Sequence, residues 1–292
     1  MPGSPVITKK PKHVAKPTWC PGCGDFGVLS ALQSAVAALK IASKDLLVVS
    51  GIGCSSDLPG FIHSYAFHGL HGRSVPVATG AHLANTALQV VITGGDGDGY
   101  GIGLGHFVHA MRRNLDLTYL VMDNQIYGLT TGQTSPTTTL GHVTKSTPAG
   151  NVEHPLNPLA LALISGATFV ARGFSGEAAH LTEIVKQALQ HKGFALIDIF
   201  SPCITYNKVN TYDWFRKRVY KLEDKGHDAT NFEAALTKSR EWGEAGIPIG
   251  ILYRASLPTY ADQDAVLKAG PLVNQPVGLT PDQQKSILQE FL

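Results

Sequence analysis

Short apolar runs alternate with longer stretches of helical periodicity along the first two thirds of the chain. "VLSALQSAVAALK" (28–40) carries apolar side chains three and four apart and predicts a helix, whereas "DLLVVSG" (45–51) is a continuous apolar run closed by glycine and predicts a buried strand. The pair recurs. "TGAHLANTAL", "GIGLGHFVHAMRRN", "LNPLALALIS" and "SGEAAHLTEIVKQALQHKG" have helical spacing; "QVVITGG", "LTYLVMDN", "ATFVARG" and "FALIDIFSP" read as strands. Alternation of this kind predicts an α/β fold, a mostly parallel sheet with helices on both faces. Residues 1–18, broken by prolines 2, 5, 11 and 17, predict an extended arm, and residues 19–215 form the main domain. From about residue 212 the rhythm fades. "NFEAALTKSREWGEAG" suggests one more helix and "IPIGILYR" one more strand within a C-terminal extension, 216–292.

Parallel sheets collect ligands beyond the carboxyl ends of their strands. Cys54 follows one predicted strand, Asp96 a second and Cys203 a third, and Asn124 ends a fourth, so all four fall on one edge of the sheet. Cys20 and Cys23 in "WCPGCGDFG" precede the first helix, which starts on that same edge if the winding is regular.

Composition narrows the chemistry. A net charge of +2 over 292 residues, with no long basic run, argues against a nucleic-acid groove or a membrane patch and favours small-molecule chemistry. No apolar run reaches the roughly 18 residues of a membrane span, and the proline-rich start lacks the apolar core of a signal peptide. The expected location is the cytoplasm, where thiols stay reduced and paired cysteines hold metals or do redox chemistry. Cys20, Cys23, Cys54 and Cys203 are the only cysteines. Four thiolates suit an iron–sulfur cluster or a tetrahedral zinc, and buried unrelated thiols are a third possibility.

The second constellation is "GGDGDGYGIGLGHFVHAMRRNLDLTYLVMDNQIYG". Glycine amides at a helix start suit phosphates, and two aspartates beside them would repel a bare pyrophosphate unless a cation intervenes. Asp96, Asn124 and the Ile126 carbonyl offer the oxygen ligands that Mg2+ prefers.

Gly-Asp-Gly followed after 26 residues by Asn is similar to the thiamine diphosphate and magnesium motif. With "WCPGCGDFG", "GIGCSSDLPGF", "FHGLHGRSVPVATG", "GLTTGQTSPTT" and "SPCITYNKVNTYDWF", residues 15–216 resemble the β subunit of the 2-oxoacid:ferredoxin oxidoreductases, most of all the two-subunit 2-oxoglutarate type. That resemblance implies CoA-dependent oxidative decarboxylation of 2-oxoglutarate to succinyl-CoA, or its reverse. It implies thiamine diphosphate, Mg2+ bound by Asp96, Asn124 and Ile126, and one 4Fe-4S cluster held by Cys20, Cys23, Cys54 and Cys203. Gly53, Gly95, Gly97 and Asp98 are implied at the cofactor, with His68–Arg73 and Ala78–Gly80 nearby and His71 and Asn207 as candidate catalytic groups. Coenzyme A would be cosubstrate, ferredoxin the electron carrier, and an α subunit the source of the glutamate that activates the aminopyrimidine. One departure stands out: His82 occupies a position where the family often has lysine.

Rival expectations are the same chemistry on pyruvate or another 2-oxoacid, a non-oxidative thiamine enzyme with structural zinc, and a non-catalytic metal-stabilised subunit. Smaller expectations are that Asp25 caps the first helix, that His106 and His109 pack, and that the lysines at 9, 10 and 12 solubilise the arm.

Overall fold

The computed structural model describes residues 14–276 and 278–291, so most of the arm, with Lys9, Lys10 and Lys12, lies outside the described residues. The apolar runs become β1 (Leu46–Ser50), β3 (Gln89–Gly95), β4 (Thr118–Asp123), β5 (Phe169–Phe174) and β6 (Ala195–Phe200). Three further strands, β2 (Tyr65–His68), β7 (Val219–Lys221) and β8 (Ile247–Arg254), complete one eight-stranded sheet of order β2-β1-β3-β4-β6-β5-β8-β7. All pairings are parallel except β5 with β8. The segment after residue 216 therefore extends the same sheet.

Alternation along the strands sorts the core into two layers. Val48, Val91, Leu120 and Ile197 face α1 (Asp25–Ala38) and α5 (Ala178–Gln190). Val49, Ile92, Val121 and Leu196 face α2 (Ser74–Ala84), α3 (Leu104–Arg112), α4 (Pro158–Ile164) and α7 (Phe232–Ser239). Burial on both faces explains why these strands are continuously apolar. Local signals fix where helices begin: the Asn157 side chain accepts from Ala160 N at 3.0 Å and Pro158 opens α4. At α1 the cap position belongs to Gly24, not to Asp25. Asp25 is instead a fully buried first-turn residue whose carboxylate accepts from Ser201 Oγ at 2.5 Å. Among the described residues no helix is long and apolar enough to cross a membrane.

Candidate active site

The chain leaves β1 toward β2 on one side and returns as β3 on the other, so the carboxyl ends of β1 and β3 flank a topological switch point. A cavity of about 390 Å³ opens there, lined by Gly53, Cys54, Gly95, Asp96, Gly97, Asn124 and Ile126 among others. β3 and β4 are paired neighbours, which brings the residues just beyond their ends, Asp96 and Asn124, to one wall. Asp96 is buried, and its Oδ2 accepts hydrogen bonds from Ser135 Oγ and, at 2.6 Å, from Thr137 Oγ1. Burial pushes its carboxyl above the usual range, against the pull of those hydroxyls. The Asn124 Oδ1 accepts from Ile126 N at 3.0 Å, a local turn that fixes the chain as it leaves β4.

Asp98 fastens three segments. Its Oδ1 accepts from Ile52 N at 2.9 Å and Gly72 N at 2.6 Å, and stands 3.0 Å from His71 Nδ1. A carboxylate only accepts, so this contact requires the proton on Nδ1 and leaves Nε2 as the free ring nitrogen. Gly97 allows the close approach of Tyr127: a Cβ there would fall 2.1 Å from the Tyr127 ring, whose hydroxyl donates to Gly97 O at 3.0 Å.

Cys20, Cys23, Cys54 and Cys203 ring an adjoining cavity of about 290 Å³. "CPGC" makes a tight turn, with Cys23 N donating to Cys20 O at 2.9 Å, and Gly24 N reaches Pro202 O at 3.1 Å. Any side chain on Gly24 would meet the Ser201 backbone at 2.5 Å, so glycine is what lets the turn lie against the Cys203 loop. Trp19 Nε1 donates to Cys54 O at 2.6 Å while its ring packs edge-on against Phe26 and Phe61. Sulfurs remote in sequence are thereby tied together by backbone contacts. Burial raises the Cys23 thiol and pushes the Cys54 thiol up to about 12. The two cavities share Cys54, Asn124, Gly128 and Leu129, and a Cβ on Gly128 would stand 3.6 Å from the Sγ atoms of both Cys54 and Cys203.

The family described as "Thiamine pyrophosphate enzyme, C-terminal TPP binding domain" matches residues 51–199, and the family of the C-terminal part of the pyruvate ferredoxin oxidoreductase beta subunit matches 203–269. Over 271 residues the chain is 49% identical to the 2-oxoacid:ferredoxin oxidoreductase subunit beta of Saccharolobus solfataricus, covering 88% of each. The chain belongs to the 2-oxoacid:ferredoxin oxidoreductase β subunits. It is similar also to the 2-oxoglutarate synthase subunit KorB of Methanocaldococcus jannaschii, 42% identical over 84% of this chain and 90% of that one. A solved 2-oxoglutarate:ferredoxin oxidoreductase from Magnetococcus marinus, with 2-oxoglutarate, coenzyme A and succinyl-CoA bound, is similar with a TM-score of 0.87 and 42% identity, covering 97% of both chains.

Other sequence-predicted residues of this β subunit sit elsewhere. Asn207, expected as a catalytic group, lines neither cavity in the isolated chain. Its Nδ2 donates to Asn124 O at 3.0 Å and its Oδ1 accepts from Val209 N and Asn210 N, each at 3.0 Å, which commits the amide to backbone groups. Of the 68–73 and 78–80 blocks only His71 reaches the cavity around Asp96, and His82 is buried on α2 away from it. Conversely, Ser55, Tyr127, Ser135 and Thr137 join or support the site although no motif marks them individually. The run of hydroxyls in "TTGQTSPTT" is the one visible signal for Ser135 and Thr137. Behind Thr137 lies a buried charged group: Asp123 and Asp198 beside Arg172, with Tyr100 donating to Asp198 Oδ1 at 2.8 Å.

Proposed function

We propose that this β subunit holds thiamine diphosphate with Mg2+ in the cavity around Asp96, and a 4Fe-4S cluster between Cys20, Cys23, Cys54 and Cys203. With an α subunit it would convert 2-oxoglutarate and coenzyme A to succinyl-CoA, or run the reverse, with ferredoxin carrying the electrons. The observation that carries this reading is the common wall of Cys54, Asn124, Gly128 and Leu129 between the two cavities.

The residues fit both groups. A carboxylate, a side-chain amide and a backbone carbonyl at Asp96, Asn124 and Ile126 are hard oxygen donors of the kind Mg2+ takes. Ser55 Oγ, buried on the same cavity, has no hydrogen-bond partner among the described residues and suits a phosphate oxygen. Among the described residues no three His, Cys, Asp or Glu side chains gather around a single-ion site. Four thiols around one cavity suit an iron–sulfur cluster.

When bound, thiamine diphosphate supplies a nucleophilic carbon and an electron sink for decarboxylation, and the cluster takes electrons one at a time. Asp96 and Asn124 would hold the metal, whose charge would in turn hold the diphosphate. His71, oriented by Asp98, keeps Nε2 free to take or give a proton at the cavity wall. Ile126, buried at that wall, gives it an apolar part.

The likeness to the Magnetococcus marinus enzyme supports 2-oxoglutarate, while the match of residues 203–269 to a family named for the pyruvate enzyme makes pyruvate the second reading. Anaerobic co-purification with the α subunit, followed by assay of several 2-oxoacids with coenzyme A and a low-potential dye, tests the proposal. A brown protein containing iron and acid-labile sulfide and fastest on 2-oxoglutarate is expected. Absence of iron would overturn the cluster, and faster turnover of pyruvate would favour the second reading.

A further inference from the structure

Both hydroxyls that reach Asp96 reach the same atom. Ser135 Oγ and Thr137 Oγ1 donate to Oδ2, whereas Oδ1 takes no side-chain hydrogen bond, and Asp96 lines the cofactor cavity. The three residues are 1%, 4% and 3% exposed for Asp96, Ser135 and Thr137, so water does not compete for these contacts. The pair is itself anchored. Thr138 Oγ1 accepts from Ser135 N and donates to Gln125 O, both at 2.7 Å, and the single proton of Thr137 Oγ1 is shared between Asp96 Oδ2 at 2.6 Å and Asp123 Oδ1 at 2.8 Å. Segment 135–138 is thus fastened to the stretch just beyond β4 that carries Asn124 and Ile126.

We infer that Ser135 and Thr137 are positioning residues that occupy Asp96 Oδ2 and leave Oδ1 as the single oxygen for a divalent cation, so that the site selects Mg2+ over Ca2+. The inference rests on the reading above that Asp96 is a cation ligand. Its selectivity follows from coordination chemistry. Ca2+ accepts both oxygens of one carboxylate in a loose shell of six to eight ligands, while Mg2+ requires a near-octahedral shell that single-oxygen carboxylates suit. A carboxylate with one oxygen already tied to two buried hydroxyls cannot swing into a two-oxygen grip without breaking both hydrogen bonds, each strengthened by the charge.

The test uses the full-length chain assembled with its α subunit and thiamine diphosphate. Mn2+ binding is followed by electron paramagnetic resonance, with Mg2+ and Ca2+ as competitors. Thr137→Val is expected to weaken Mn2+ by about tenfold, the scale of one lost hydrogen bond to a charged group. It should also narrow the Mg2+ preference over Ca2+, and Thr137→Ser should restore both. Loss of folding alone would not change the ratio of two competing ions. Should Thr137→Val fail to fold, Ser135→Ala carries the same test, with a similar loss of Mn2+ affinity and the same narrowing. Wild-type affinity and an unchanged ion ratio in a folded Thr137→Val, or in Ser135→Ala where that variant carries the test, would overturn the inference. Wild-type Mn2+ binding by Asp96→Ala would instead remove the cation reading beneath it.

Discussion

Cys54 and Asn124 each line two cavities at once, the one containing Asp96 and the one ringed by cysteines. Cys54 follows β1 and Asn124 follows β4, with β3 between them in the sheet, so the parallel register alone sets their separation.

Separate cavities imply separable losses. Cys54→Ser is expected to bring iron and sulfide close to zero while thiamine diphosphate still binds. Asp96→Ala is expected to do the reverse. Metal analysis beside calorimetric titration of the cofactor checks both, and simultaneous loss of both groups in each variant would contradict the division.

Asp98 is a clasp before it is anything else. Asp98→Ala leaves the amides of Ile52 and Gly72 without their acceptor, so unfolding free energy should fall by about 2–4 kcal/mol. His71→Ala removes a partly exposed ring and should cost less than about 1 kcal/mol, while turnover with the α subunit falls. Urea unfolding and steady-state assays separate the two effects.

Gly97→Ala drives a methyl group against the Tyr127 ring. Overpacking of this kind costs about 1–3 kcal/mol, and because the collision lies in the cofactor cavity, affinity for thiamine diphosphate should fall at least as much as stability. Fluorescence titration of the cofactor and thermal unfolding provide the comparison.

Much of this arrangement is legible in the sequence because it depends on period and chain order. Apolar runs between helices place Cys54, Asp96, Asn124 and Cys203 on one edge, and β1, β3, β4 and β6 are consecutive neighbours in the sheet. What stays hidden depends on tertiary contacts. Thr137 lies in the irregular stretch between β4 and α4, where no periodicity says which hydroxyl turns inward. β8 pairs with β5 across a long separation and antiparallel, which the helix–strand rhythm does not encode. Asp25 has the chemistry of a helix cap, and only the position of Ser201 reveals that it is buried. Asn207 follows a cysteine in a polar loop, where an amide can face a cofactor as readily as the backbone of Asn124 that it meets in the fold.

The buried carboxyl of Asp198 makes stability depend on pH. Burial raises it to about 6 from 3.8, despite Arg172 and the Tyr100 hydroxyl, which pull the other way. The folded chain therefore binds a proton more tightly than the unfolded one. The associated stabilisation is complete below about pH 4 and is lost as pH rises through 6, on the order of 3 kcal/mol in all. Asp198→Asn should flatten this part of the profile. It should also remove the stability loss at neutral pH, because the amide stays neutral where the fold resists the charge of the carboxylate even beside its cross-strand neighbour Arg172. Urea unfolding at several pH values between 4 and 7 reads both outcomes.

On this reading, chemistry at the Asp96 cavity would deliver electrons to iron held by the four cysteines. Low-temperature electron paramagnetic resonance of the anaerobic αβ complex, frozen after mixing with 2-oxoglutarate and coenzyme A, tests it most directly. A reduced 4Fe-4S signal should appear in the wild type, be absent from Cys54→Ser, and in Asp96→Ala appear with dithionite but not with substrate. A wild-type complex that carries iron and turns over 2-oxoglutarate, yet shows no substrate-dependent cluster signal, would contradict it.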